Sequence, residues 1–585
     1  MSQYGSQLAL TANTRLKSRL IRRAANRSPL MFLLIFTAWF MALVWFGPRL
    51  IESLQAAQGP VSRFALWYFI IFIPIAWLYG IYNLSVVFFA LVYRKLQPQV
   101  QATELTPNAV AVLYTTCNDF VATSVLSCAN LDYPDYTVYI LDDSSDVAIR
   151  NRIDKFARRF DHVRVIRRRD RQGFKAGNLN HALQHVVKEP LFVIADSDEI
   201  LPRDFLRTLV PRIVADPNCG FIQANHRCVR QGTKLQQDLC DGVDVHWKWY
   251  QPLRNRFGFV MFLGHGALLR RSCWQQVGGF PEVVSEDLAY AIAIREQGYY
   301  GTFASDVTCF EEFPESVRAF RVRHVKWTRG TCEFLHRYGI GLLKSVRMSW
   351  SEKFDILFPT ANLPLTLLFF GYMLMAAIVL PIAIGERSVL TLELLHGSVQ
   401  IPVMLMPPEM NVLYTWDFFA ITACALLSPI LCFVLEMWRT PIRLLRFLTH
   451  STSLYAALAP LSTICVLGYV FTRRARFLVT GDRTDQQRSG SFWDDTHPDS
   501  IIVQRFEWCA ALVFALGALA SFQIALMGIA TAYGLISIMH NSDWGRPGLQ
   551  TMVWIPFSFI ALGLAIGGMG LFGMQPVFFG FGFHF

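Results

Sequence analysis

Charge is what this 585-residue sequence has least of. Only 17% of its residues are Asp, Glu, Lys or Arg, against about 25% in a soluble domain. The shortfall is concentrated in apolar runs at roughly 30–47 and 64–93 and again beyond 355. Between them lie about 250 residues of ordinary composition, long enough to bury a core of their own. That distribution excludes a wholly soluble protein and implies a polar domain spliced into a membrane domain. Acids are missing from the first 27 residues, which carry Arg15, Lys17, Arg19, Arg22, Arg23 and Arg27. The apolar run that follows is too long for a signal peptide and no small-residue cleavage site ends it, so residues 1–29 are expected to be a basic cytoplasmic tail. No C-x-x-C occurs among the twelve cysteines. Neither a zinc ribbon nor a disulfide framework is expected, and the thiols read as free. The net charge of +11 sits largely in the tail and at membrane flanks, where it orients helices, so no nucleic-acid partner is expected.

Hydropathy and charge give a topology. Residues 30–95 hold two spans, the second ending at Arg94-Lys95, which returns the chain to the cytoplasm. The polar domain covers 105–350. Residues 351–450 hold two more spans (359–384 and 412–436) and "WRTPIRLLRFLTH", an amphipathic interfacial segment. Residues 451–471 are apolar enough to cross. Arginines flank both ends, however (Arg439, Arg443 and Arg446; Arg473, Arg474 and Arg476), so 451–485 is expected to stay on the interface. Two final spans at 508–538 and 551–574, within 500–585, bring the count to six with both termini cytoplasmic.

The polar domain alternates strand and helix. "AVAVLYT" (109–115), "YTVYILDD" (136–143), "HVRVIRR" (162–168) and "PLFVIADSD" (190–198) read as strands, with helices near 119–130, 146–160 and 175–187. Such alternation predicts a parallel sheet covered on both faces, with ligands beyond the carboxyl ends of its strands. Neither G-x-G-x-x-G nor G-x-x-x-x-G-K-[ST] is present, which removes the nicotinamide and P-loop fingerprints. Carboxylates stand at the strand ends instead. Asp196 and Asp198 can face one hard divalent cation, Mg²⁺ or Mn²⁺, that also takes phosphate oxygens. Asp142 and Asp143 either cap the next helix or bind a base or ribose. "QGFKAGNLNHAL" offers Lys175 beside Gly177, where a backbone can approach a ligand closely. Glu286 and Asp287 open a helix, where acids are favoured by the dipole whatever their function. "RVRHVKWTRG" (321–330) packs cations around a tryptophan.

In this order the strings resemble the processive family 2 glycosyltransferases, the superfamily of cellulose, hyaluronan and bacterial β-glucan synthases. The resemblance is strong over 109–335 and weaker to about 485. It implies a cytoplasmic α/β domain of GT-A fold inserted into an α-helical transmembrane domain with interfacial helices. It also implies an inverting transfer from a UDP-sugar, UDP-glucose above others, into a β-linked glucan moved across the membrane. By the same likeness Asp142, Asp143, Lys175 and Asp196 hold UDP, and Asp196 with Asp198 the metal. Asp287, beside Glu286, is the base in "SED". Lys326, with Arg323 and Arg329, meets the leaving group. Trp327, Gly264 and His265 belong to the acceptor site, and Phe477, Val479 and Thr480 in "RRARFLVTGD" to a gating loop. The implied partners are the UDP-sugar, the growing polysaccharide and the lipid bilayer of a bacterial inner membrane; accessory export proteins and self-association are compatible with it. No cyclic-dinucleotide-binding segment is expected after the last span. The sequence departs from the family at Leu263 for cysteine, Arg323 for glutamine, Lys326 for arginine and Asp482 for lysine, which bears on linkage. Three alternatives stand beside it: a nonprocessive transferase using a lipid carrier, a synthase using UDP-GlcNAc, and a transporter whose polar domain only regulates.

Overall fold

The computed structural model describes residues 27–93, 108–394, 397–475 and 496–572. Four apolar strands build the first half of the polar domain: β1 (Val110–Thr116), β2 (Tyr136–Asp142), β3 (Val163–Ile166) and β4 (Leu191–Ala195). Their side chains are buried on both faces because helices Ala122–Ala129, Val147–Ala157 and Phe174–His185 return over the sheet after each of the first three. Every fully buried Val, Leu or Ile there contributes about 1.5–3 kcal/mol. The expected parallel order holds for β3-β2-β1-β4. Beyond β4 the sheet becomes mixed. β5 (Glu199–Ile200), β6 (Cys219–Cys228), β7 (Ala267–Arg270) and β8 (Tyr300–Glu311) complete the order β3-β2-β1-β4-β7-β6-β8-β5, with β7 antiparallel to β4 and β6. Register pairs Thr116 with Asp142 and Tyr114 with Ala195, so β1, β2 and β4 release their carboxyl ends at one edge.

Eight helices among the described residues are long and apolar enough to cross a membrane, the pattern of a multi-pass membrane protein. The polar domain meets one end of this bundle through ion pairs and hydrogen bonds. Arg443 pairs with Asp241, Arg446 lies 3.2 Å from Asp238, Trp544 donates to Asp238 at 3.0 Å, and Arg318 meets Asp499. Arg27, the last of the N-terminal cations, donates to the carbonyls of Gly258 and Gly301 at 2.9 and 2.5 Å. A β-hairpin, Glu386–Leu394 and Gly397–Leu405, marks the opposite end. The unit Pro441–Thr472 bends at Leu458 into two helices, and both its halves touch the polar-domain side, through Arg443–Asp241 and through Tyr469–His336.

Two expectations change. The apolar run at 508–538 is two helices, Ile501–Ser521 and Ile524–Asn541, joined at Phe522 in the left-handed region (φ +52°). Hydropathy passes over this turn because the residues around it are apolar. A third helix, Trp554–Phe572, then runs back to the hairpin end, where Ile566 packs with Leu390 and Val403. The two spans expected after residue 500 are therefore three helices. Cys228 and Cys240, expected to be free thiols, form a disulfide with Cα atoms 5.3 Å apart. The end of β6 and the helix Lys234–Val245 bring them together, and their spacing alone carries no such signal.

Candidate active site

The site grows from the turn after β4. Asp196 leaves the strand and accepts from Thr115 Oγ1 at 2.8 Å. Its Oδ1 also lies 2.5 Å from Lys175 Nζ, which donates to the Gly264 carbonyl at 3.1 Å. Burial alone would lower the Lys175 ammonium, but the charges of Asp196 and Glu286 outweigh it and raise its pKa. Burial likewise opposes the Asp196 carboxylate, and Lys175 and His265 hold it below its ordinary range. Asp198 opens to the cleft. The desolvating walls, then Asp196, push its carboxyl up to about 6, with His265 pulling the other way.

Gly264 is the hinge of the constellation. Its φ of +90° suits glycine, and a Cβ there would sit 3.3 Å from Asp287 Oδ2. Asp287 opens the helix Glu286–Glu296 and accepts from the Leu288 N–H at 2.8 Å. Burial raises both acids, and the Asp287 charge raises Glu286 further, to about 7. The acids singled out from "DSD" and "SED", the lysine of "KAGN" and the glycine of "LGHG" thus converge on one cleft.

The basic helix Val317–Lys344, capped by Ser316 accepting from Ala319 N, divides its cations between faces. Lys326 is half-buried; burial lowers its pKa while the charges of Glu286 and Asp196 raise it. Trp327 remains 48% exposed, offering a flat apolar face. Arg323 stacks on Trp327, Phe313 and Phe320 at 4.7, 4.8 and 5.6 Å from their centroids. Arg329 is buried to 1% exposure, and its charge is felt by Cys332 on the same helix and by Cys465 on the helix Ala459–Thr472. Asp142 and Asp143 stand at the β2 end already engaged: Arg167 holds Asp142 at 2.6 Å, and Arg168 holds Asp143 through two bonds of 2.9 and 2.7 Å. Phe477, Val479 and Thr480 lie outside the described residues.

Sequence reasoning missed a buried layer behind the cleft. Glu199 is fully buried between His226 Nε2 at 2.9 Å and His265 Nδ1 at 3.4 Å. Burial would raise its carboxyl, yet His265 and His226 hold it well below the ordinary range. Burial would lower His265, but the charges of Glu199, Asp196 and Glu311 raise it to about 10. Only the position of Glu199, directly after "DSD", could have signalled it. Gly266 (φ +59°) fits this layer because a Cβ would lie 2.4 Å from both Glu199 Oε1 and His226 Nε2. Gly266→Ala is expected to destabilise the fold by about 1–3 kcal/mol through overpacking, read from its thermal unfolding midpoint.

A divalent cation fits Asp198: among the described residues its carboxylate has no ion pair, and it stands close enough to Asp196 and Glu311 to feel their charge. Residues 107–330 match the model of the "Glycosyltransferase like family 2". The chain is 26% identical over 230 residues to a probable glucomannan 4-beta-mannosyltransferase 15 of Arabidopsis thaliana, covering 38% of this chain and 43% of that protein. It is 29% identical over 301 residues to a putative cellulose synthase 2 of Komagataeibacter xylinus, covering 47% of this chain and 19% of that one. Among solved structures it is similar to the mannosyltransferase PcManGT of Pyrobaculum calidifontis in complex with GDP-Man and Mn²⁺, at 19% identity and a TM-score of 0.40, over 63% of this chain and 99% of that one. The chain thus spans less than half the length of these two curated relatives.

Proposed function

We propose that the chain, whose residues 107–330 match the family 2 glycosyltransferase model, is a membrane-embedded, inverting, processive β-glycan synthase that uses UDP-glucose and passes its product through the helix bundle. One observation carries the reading. Lys175 bridges Asp196 to the Gly264 carbonyl while Asp287 abuts the same glycine, so donor-side and acceptor-side groups meet at one point.

The chemistry follows from those positions. Asp287 takes the proton of an acceptor hydroxyl, whose oxygen attacks the anomeric carbon from the face opposite the nucleotide. The bond from that carbon to the diphosphate oxygen breaks as the new glycosidic bond forms, which inverts the configuration. Lys175 and Lys326 meet the negative charge that the departing diphosphate gains. A divalent cation held by Asp198 and Asp196, Mg²⁺ or Mn²⁺, adds positive charge to the same phosphates. Trp327 stacks on the acceptor sugar. In the bundle a cavity of about 90 Å³ is lined by Trp77, Tyr79, Tyr372, Asn362, Thr366 and Thr422. Aromatic faces with amide and hydroxyl groups suit a sugar chain in transit. The Pro441–Thr472 unit then lies along the interface, and the sheet domain on the cytoplasmic side.

Asp287 works only as a carboxylate, and both acids of the pair are raised. Protonation therefore silences the site on the acid side. kcat/KM is expected to rise with pH as the raised Asp287 carboxyl ionises and to flatten above that step; a profile already flat at the ordinary aspartate value of about 4 would contradict the assignment.

The mannosyltransferase relatives favour a second donor, GDP-mannose, in the same mechanism. Membranes carrying the chain, given labelled UDP-glucose, UDP-GlcNAc or GDP-mannose with Mg²⁺ or Mn²⁺, separate the donors. Linkage-specific glycanases then identify the product. Incorporation from none of the donors overturns the synthase reading.

A further inference from the structure

Two imidazoles of the polar domain stand apart from the rest. Among the described residues every other histidine has a hydrogen-bond or ion-pair partner. His181 and His185 have none there and face only each other. Their ring centroids lie 4.9 Å apart, with the planes tilted by 56°.

Sequence spacing places the pair. The two histidines sit four residues apart in the helix Phe174–His185, so they stand one above the other on a single face. Ala176, Leu179, Ala182 and Leu183 bind the other side of this helix into the core. The imidazoles are therefore turned outward, His181 half-buried and His185 exposed. His185 closes the last turn, where the helix macrodipole favours positive charge. The charges of Asp143 and Asp170 also reach His181, against that of Arg168.

Such a pair suits a borderline divalent ion. Histidines four apart on one helix face are a known way of binding zinc. With zinc–nitrogen bonds of about 2.0–2.1 Å at a tetrahedral angle, two ligating rings hold their centroids about 5 Å apart. The 4.9 Å found here agrees with that. Water can complete the coordination at an exposed position. Mg²⁺ prefers oxygen ligands and has little to hold it between two imidazoles.

We propose that His181 and His185 form a surface site for Zn²⁺ and like transition ions at the end of the helix whose first turn carries Lys175. The pair begins six residues beyond Lys175, about 9 Å along the axis, so it is separate from the cation held at the cleft. A bound ion ties together the last turn of the helix that presents Lys175. The site depends on the two imidazoles alone and not on which sugar the cleft transfers.

The test needs no sugar nucleotide. Zn²⁺ is titrated by calorimetry into the detergent-solubilised full chain, without a histidine tag and with Mg²⁺ in excess. The pH is held well above the ordinary histidine value of about 6.5, so that the rings are neutral. The unaltered chain should bind one more Zn²⁺ than His181→Gln or His185→Gln. In each variant the remaining ring should hold the ion at least about tenfold more weakly. Zn²⁺ should also raise the thermal unfolding midpoint of the unaltered chain more than that of either variant. Without metal both variants should unfold as the unaltered chain does, because neither ring has another partner to lose. Equal Zn²⁺ binding by the unaltered chain and a folded variant overturns the proposal. An unaltered chain that binds no Zn²⁺ overturns it whatever the variants do. Variants that fail to fold also contradict it, since they would give the rings a structural role. Sugar transfer, found or absent, bears on the synthase reading alone.

Discussion

Asp287→Asn should lower sugar transfer by about 10²–10⁴-fold, the contribution of a positioned general base, while leaving nucleotide binding nearly intact. Asparagine keeps the shape of the side chain and an oxygen for the Leu288 N–H, now accepted at 2.8 Å, so the helix start survives. Only the capacity to take a proton is lost. The change also removes one of two mutually repelling charges, so Glu286 should ionise at lower pH than it does beside Asp287. Glu286→Gln should cost much less, because Glu286 is buried to 7% exposure and Asp287 is the acid abutting Gly264. Labelled-sugar incorporation measured beside nucleotide affinity separates the two acids. Full activity in Asp287→Asn would mean that another group takes the proton.

Lys326→Met should lower kcat by about 10²–10³-fold, the scale seen when one donor to developing charge is removed. Donor KM should move little, because the leaving phosphate gains its charge on the way to the transition state and not on binding. Lys326 is suited to this because it is half-buried in a cleft with Glu286 and Asp196 near enough to sustain its charge against desolvation. Lys326→Arg should recover much of the rate, with any loss reflecting the planar fork in place of a point charge. A raised KM at unchanged kcat would instead assign Lys326 to ground-state binding.

The strings that proved legible are those whose geometry is local. "DSD" ends a strand, "KAGN" opens a helix and "SED" starts another, so each places its side chains through a few residues of backbone. The four parallel strands were readable for the same reason: uninterrupted apolar runs between helices. What stayed hidden is assembled from distant segments. Glu199, His226, His265 and Glu311 come from β5, β6, the loop before β7 and β8, and the antiparallel β7 that brings them together has no signature of its own. The arginines that occupy Asp142 and Asp143 come from the loop after β3. The turn at Phe522 was invisible to hydropathy because a membrane helix and an apolar turn share their composition.

Processive polymerisation is tested most directly by product length at the earliest time. Chain-bearing membranes are given a large excess of labelled donor, and the product is sized while most of that donor is unspent. A processive synthase yields long chains from the first time point, their number limited by the amount of protein. Short products that lengthen together, or a single sugar on a lipid, would contradict it.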